Sequence, residues 1–283
     1  MLSFDGVLNR CHQVIRFSMC LLRQFLILMA ILLFTVGGAW AEGVLRYAGA
    51  TTLQRFFMPE IGRIFTNDTA IKVKIEGGNT GPGIKALLKG DVDMAGAGRL
   101  LTDAEKQQGL VEHFLGWDVL AVIVHEDNPL DDLSREQLQG IFSGELTNWQ
   151  QVGGADQPIV VVTSPKGSGM RNAVTNLILH EKDYLSREIV SAIVAASDQQ
   201  VSLFSAGITA LSRSMLDAEH VKTVKVDGVA ATAENVATGK YALTKVLTLV
   251  THGEPQGSLA RFIDLVKSPK GKKALQRSFV PAE

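Results

Sequence analysis

Cysteine is confined to Cys11 and Cys20, and both fall in a stretch that reads as an export leader. Beyond it the chain has no disulfide, no thiolate nucleophile and no cysteine metal site. Charge of one sign is missing as well. The 28 Lys and Arg stand against 29 Asp and Glu, and the longest basic run past the leader is Lys272-Lys273. A nucleic-acid polycation is thereby excluded. Any anion must be held by a local set of donors, not by a global field. No apolar run has the ~20 residues that a membrane-spanning helix needs. Repeats and low-complexity linkers are lacking, so domain boundaries have to come from the fold.

The leader is what the amino terminus does contain. An apolar run over 25–36 follows Arg23, and Ala39-Trp40-Ala41 supplies a small-x-small cleavage site. These features predict a signal peptide over 1–41, cut after Ala41, and an exported product beginning at Glu42; an uncleaved anchor is the alternative. Met19 makes a more usual start than Met1. Cys20 lies ahead of the apolar run and away from the cleavage point, which is not a lipoprotein signal. Without the leader, 25 basic residues face 28 acidic ones, a formal charge of −3.

The remaining chain alternates strand and helix, the pattern of an α/β protein. Its central stretch is Ser164-Pro165-Lys166-Gly167-Ser168-Gly169-Met170-Arg171. A β-branched run, Ile159-Val160-Val161-Val162-Thr163, precedes it and reads as a buried strand. Met170, Ala173, Val174, Leu177 and Ile178 follow at helical spacing, so a helix starts near Ser168. Strand, glycine-flanked serine and helix start together make an anion trap, since unpaired N–H groups point outward there. Taken alone, the octapeptide is equally an ordinary capped helix.

Comparable sites occur twice more. A strand over 44–48 ends in Gly49-Ala50-Thr51-Thr52, and a helix follows with Pro59 expected to kink it. An alternating strand over 71–75 ends in Gly77-Gly78-Asn79-Thr80-Gly81-Pro82-Gly83, and a short helix stops at Gly90. A small-residue strand over 93–98 delivers Arg99. Three hydroxyl-bearing helix starts with two arginines, Arg99 and Arg171, point to one oxyanion site more than to three unrelated caps. Further strands are expected over 119–124, 206–211 and 243–250, with Ser134/Gln137 as a capping box and Ser268-Pro269 as a helix start.

In order, Gly49-Ala50-Thr51-Thr52, Thr80-Gly81-Pro82-Gly83-Ile84-Lys85-Ala86-Leu87, Asp93 with Gly98-Arg99, and Gly167-Ser168-Gly169 resemble the ligand loops of one family. The run from Asn128-Pro129 through Ser143-Gly144 and Asn148-Trp149 to Gly153-Gly154, then Gly239-Lys240-Tyr241-Ala242-Leu243, resembles its internal signature and return crossing. The chain is similar to the phosphate-binding receptors of ABC importers, within the type II periplasmic binding proteins. The resemblance covers nearly all of the sequence past the leader. It implies two lobes, each a mostly parallel sheet flanked by helices, with two crossing strands as hinge. It places the first lobe at 42–122 plus 246–283 and the second at 123–245. It implies capture of a small oxyanion, most simply inorganic phosphate, by Thr51, Thr52, Thr80, Gly81, Arg99, Ser168, Gly169, Met170 and Arg171. No cofactor is implied. The partner would be an ABC permease, the location the periplasm and the state a monomer. An oxyanion-sensing module of the same fold, or a receptor for molybdate or sulfate, is the alternative.

The departures from that family concern selectivity. An arginine and an aspartate usually precede Gly-Ser-Gly; here Ser164 and Lys166 stand there. The usual threonine is Met170, which keeps its N–H and loses the hydroxyl. Gly98 stands where some members carry an acidic acceptor, so discrimination against sulfate is expected to weaken, with Lys166 as a candidate replacement cation. Catalysis is not expected. Lys166-Gly167-Ser168-Gly169-Met170 does not match a G-x-S-x-G nucleophile elbow, and His113, His125, His180, His220 and His252 read as surface or capping residues. Trp117 and Trp149 read as packing residues, and Lys270, Lys272 and Lys273 as a solvated face.

Overall fold

The computed structural model describes residues 43–282 other than Gly167 and Glu181. The predicted leader, its cleavage site and the alternative start at Met19 lie outside the described residues.

The amino-terminal third alternates as its periodicity demands. Strand β1 (Leu45–Gly49) leads to helices α1 (Thr51–Phe56) and α2 (Met58–Thr69), then to β2 (Val73–Ile75), α3 (Thr80–Lys89) and β3 (Met94–Ala97). The helix expected to kink at Pro59 is in fact two helices that break at Phe57. Pro59 sits in the first turn of α2, where a missing N–H removes no helical bond. β1 pairs in parallel with β2 on one side and with β3 on the other. Gly49 has φ +138, and a Cβ there would lie 2.3 Å from the Gly96 carbonyl oxygen. A Cβ on Gly83 would come within 2.6 Å of Gly49 Cα. The absence of side chains at these two positions lets the ends of β1, β3 and α3 meet, which gathers the loops that follow them.

Helix α4 (Asp103–Gln107) precedes the longest strand, β4 (Leu110–His125). It begins well before the apolar run that marked it in sequence, because Glu112, His113 and Gly116 interrupt the pattern. Next come β5 (Asp132–Leu133), α5 (Arg135–Ser143) and β6 (Val160–Thr163). The expected capping box is present on α5, with Ser134 accepting from the Gln137 N–H. Helix α6 (Gly169–Val174) continues as a π-helical turn, Thr175–Leu179. β7 (Ile189–Val190), α7 (Ser197–Val201), β8 (Gly207–Ser212), β9 (Val221–Val226) and α8 (Ala233–Ala237) follow, then β10 (Thr244–His252). Helices α9 (Gly257–Lys267) and α10 (Pro269–Leu275) and strand β11 (Val280–Pro281) close the chain.

The strands run in the order β2-β1-β3-β10-β4-β8-β6-β7. β4 joins the two halves of this array. Through Val119 it pairs antiparallel with β10, and from Leu120 onward with β8, Leu120 opposite Ser212. The outer strands are parallel on both sides, β2-β1-β3 at one end and β8-β6-β7 at the other. The result is a two-lobed α/β fold with β4 and β10 as crossing strands.

Separate buried cores match the two lobes. One surrounds Ile123, Phe142, Trp149 and Val162. In the other lobe Tyr47, Phe57, Phe65 and Phe262 pack together, and Ala48, Ile84 and Leu87 form a further cluster. Tyr47 and Ala48 are successive strand residues, so these two clusters lie on opposite faces of one sheet. The C-terminal helices return to this lobe through Phe262, Val266 and Leu275. Trp149 is fully buried and its Nε1 donates to the Ala206 carbonyl at 3.0 Å, a packing role as expected. His113 corrects the reading of surface histidines. It is buried, 2.9 Å from Thr251 Oγ1, and burial first, then Lys267, holds its pKa below the usual value.

Candidate functional site

The loops after β1, β2 and β3 are tied to one another by threonine hydroxyls. Thr51, the first residue of α1, donates through Oγ1 to the Gly78 carbonyl at 3.1 Å. Thr80, the first residue of α3, accepts at Oγ1 from the Gly98 N–H at 3.0 Å. That bond leaves the Thr80 hydroxyl proton to donate elsewhere. Thr52 is buried beside them. Short polar residues at these strand ends close the loops without lengthening them, and the first-turn N–H groups of α1 and α3 are left without helical partners.

The other lobe contributes the start of α6. Ser168 is its N-cap and accepts at Oγ from the Arg171 N–H at 3.1 Å. A Cβ built on Gly169 would lie 3.7 Å from Asn79 Oδ1, so the loops of the two lobes face each other at this point. Between them lies a cleft of about 750 Å³. Eight of the nine candidate residues line it: Thr51, Thr52, Thr80, Gly81, Arg99, Ser168, Gly169 and Met170.

Arg171 is placed differently and is not among the lining residues. Its guanidinium forms a fork with Glu188, at 2.7 and 3.2 Å, and donates to Thr163 Oγ1 at 3.0 Å. Its Cζ stacks 3.9 Å from the ring centre of Tyr184, whose hydroxyl is pushed up to about 12, chiefly by burial. In the first turn of a helix, a long side chain points back beside the strand that precedes it, and here a carboxylate waits there. Lys166 is exposed and also absent from the lining, so it does not replace the cation missing from the loop.

Two cations do face the cleft. Arg99 is held in a bidentate pair by Glu105, both contacts at 2.8 Å. Glu105 in turn accepts from the Thr102 N–H and completes the capping box of α4. The Arg99 hydrogen bond, first among the causes, lowers the Glu105 pKa to about 2. A depressed carboxylate contributes above its ordinary range and is lost only as pH falls toward that value, so Arg99 stays positioned through mild acid.

The second cation, Lys245, was not singled out by sequence reasoning. It projects from β10, lines the cleft, and pairs with Asp118 of β4 at 2.8 Å. Asp118 is 2% exposed and also accepts from the Ser212 hydroxyl at the end of β8. The lysine stem packs near Gly98, where a built Cβ would meet Lys245 Cδ at 3.3 Å. A lone lysine in a crossing strand otherwise made of apolar residues, threonines and a terminal histidine was the available signal, but nothing local names its partner. Among the described residues no carboxylate lines the cleft. Among the described residues there is also no cluster of His, Cys, Asp and Glu suited to a metal ion.

A cleft between two α/β lobes, ringed by hydroxyls, helix starts and two cations, defines a binding protein for a small anionic solute. The PBP superfamily domain matches residues 37–270, and the chain belongs to that superfamily. It is 27% identical over 252 residues to the phosphate-binding protein PstS of Bacillus subtilis strain 168, covering 85% of this chain and 81% of that protein. A substrate-binding protein of Clostridium perfringens, solved with bound phosphate, superposes with a TM-score of 0.76 at 29% identity; the match covers 85% of this chain and all of that one. An ABC-type phosphate transport receptor from Vibrio cholerae gives 0.74 at 29% identity, over 83% and 98% of the two chains.

Proposed function

We propose that this chain is an exported receptor that captures inorganic phosphate between its lobes and delivers it to the permease of an ABC importer. One observation carries the reading. The loops after β1, β2 and β3 and the start of α6, from opposite lobes, line a single cleft together with Arg99 and Lys245. The relatives named for phosphate binding, and the neighbour solved with phosphate, support the choice of ion. In this reading the first lobe comprises 42–122 plus 246–283 and the second 123–245. Removal of a leader over 1–41 would leave the receptor in the periplasm. Binding replaces the ion's water shell with fixed donors, and contacts from both lobes favour hinge closure. Calorimetric titration of ligand-stripped protein with phosphate, sulfate, molybdate and arsenate tests it; absence of phosphate binding refutes it.

Arg99→Ala is expected to weaken phosphate binding by about 1.5–3 kcal/mol, the usual size of a lost hydrogen bond to a charged group. Unchanged affinity in the same titration would assign the guanidinium to the Glu105 pair alone.

Selectivity follows from the missing carboxylate. Hydrogen phosphate has a proton to donate and sulfate has none, so a pocket of donors discriminates poorly between them. Sulfate and molybdate are expected to displace phosphate measurably. Gly98→Asp should restore the preference for phosphate. Because its carboxylate would sit against the Lys245 stem, it should also draw the ammonium away and lower total affinity. Rejection of sulfate by several orders of magnitude in the unaltered protein would show that an acceptor faces the ion after all.

A further inference from the structure

Resting on the reading that the cleft binds a phosphoryl oxyanion, we infer that it also takes phosphate monoesters, with a second subsite for the organic substituent along the outer face of α6. Volume is the first ground. A free phosphate needs roughly three waters' worth of space, about 90 Å³, whereas the cleft holds about 750 Å³. That is the size of a small-molecule pocket.

The walls of the excess space are the second ground. Beyond the anion loops the cleft is lined by Asn172, Thr175, Asn176, Leu177, Val194 and Met215. Asn172 and Asn176 are exposed and stand one turn apart on the same helix face. Among the described residues their side-chain amides have no hydrogen-bond partner. Thr175, Asn176 and Leu177 are consecutive, yet all three reach the cleft because this turn is π-helical and advances less per residue than an α-helix. Such π turns are frequent at functional sites. Amides beside Leu177, Val194 and Met215 suit a short carbon chain that carries hydroxyls.

Charge chemistry is the third ground. The cleft offers N–H groups, the Thr80 and Ser168 hydroxyl protons, a guanidinium and an ammonium, the Thr51 proton being already donated to Gly78, and among the described residues no carboxylate lines it. Free hydrogen phosphate carries a P–OH proton that needs an acceptor. In a phosphate monoester that oxygen bears carbon instead, and the remaining three are pure acceptors with −1.5 to −2 charge near neutrality. The donor set therefore fits the ester's phosphoryl group at least as well as the free ion, with the substituent directed toward the asparagines.

Calorimetric titration of the ligand-stripped protein with inorganic phosphate and with glycerol 3-phosphate tests the subsite. The ester should bind within tenfold of phosphate. The double variant Asn172→Leu, Asn176→Leu, altered only at exposed positions, should weaken the ester at least tenfold while phosphate stays within twofold. An ester more than tenfold weaker than phosphate overturns the subsite, as does equal loss of both ligands in the double variant. If neither ligand binds, the phosphoryl reading falls and the subsite with it. Binding of the ester alone supports the subsite and removes free phosphate as the ligand.

Discussion

Lys245→Met is expected to weaken phosphate binding by about 3 kcal/mol, roughly 150-fold. Two effects add. The ammonium faces the cleft, and a charge-assisted hydrogen bond to a buried anion contributes about 1.5–3 kcal/mol. Its removal also leaves the Asp118 carboxylate, 2% exposed, without its cation 2.8 Å away. That charge would then repel the ligand from beneath the cleft. Breaking a buried pair by deleting one partner costs about 3–5 kcal/mol of stability, so the variant should also melt lower. Lys245→Met combined with Asp118→Asn separates the two effects. The double variant should regain stability, because no unpaired charge remains, but should stay weak for phosphate. If calorimetry finds phosphate affinity unchanged in Lys245→Met, the lysine only neutralises Asp118 and takes no part in binding.

Arg171→Ala should act mainly on stability. The side chains of Arg171 and Glu188 are 13% and 9% exposed, and the guanidinium also stacks on Tyr184. Deleting the arginine strands a buried carboxylate, for an expected loss of about 3 kcal/mol. In a protein of this size that lowers the melting temperature by about 6–12 °C. Arg171→Met paired with Glu188→Leu should recover much of the loss, since an apolar pair carries no desolvation cost. Thermal unfolding checks the first expectation and calorimetry the second, that phosphate affinity changes far less than in Lys245→Met. An affinity loss of 1.5–3 kcal/mol without loss of stability would instead place the guanidinium on the ion.

Much of this site was legible because anion-binding loops are local devices. Thr51, Thr80 and Ser168 stand at strand-to-helix junctions, where periodicity changes from two to about 3.6 and where capping chemistry has a short sequence signature. Ser134 with Gln137, and Ser268 before Pro269, were readable for the same reason; the caps at Ser134, Ser168 and Ser268 form, whereas Thr51 and Thr80 are first helical residues that bond to neighbouring loops instead. Pro59 misled because proline inside a helical pattern and proline opening a second helix share one local signature. The break at Phe57 depends on how Phe56 and Phe57 are drawn into the packed core.

Charge pairing was the part that local sequence could not supply. Arg99 and Arg171 look equivalent along the chain, each a lone arginine one step past a ligand loop. Their opposite fates depend on carboxylates brought in by other elements. Glu105 holds Arg99 at the cleft, and Glu188 holds Arg171 inside its lobe. Lys245 and Asp118 meet only because β10 and β4 cross side by side between the lobes.

The sequence by itself determined the α/β alternation, the three loops able to take an anion and the lack of cysteine or polycationic chemistry past the leader. All of these arise from residues within a few positions of one another. Only the tertiary structure decided which cations face the cleft, that no carboxylate of the described residues lines it and how large the cleft is. Those depend on contacts between distant segments, and the strength of a buried charge is set by its partner and its burial, neither of which a stretch of sequence contains.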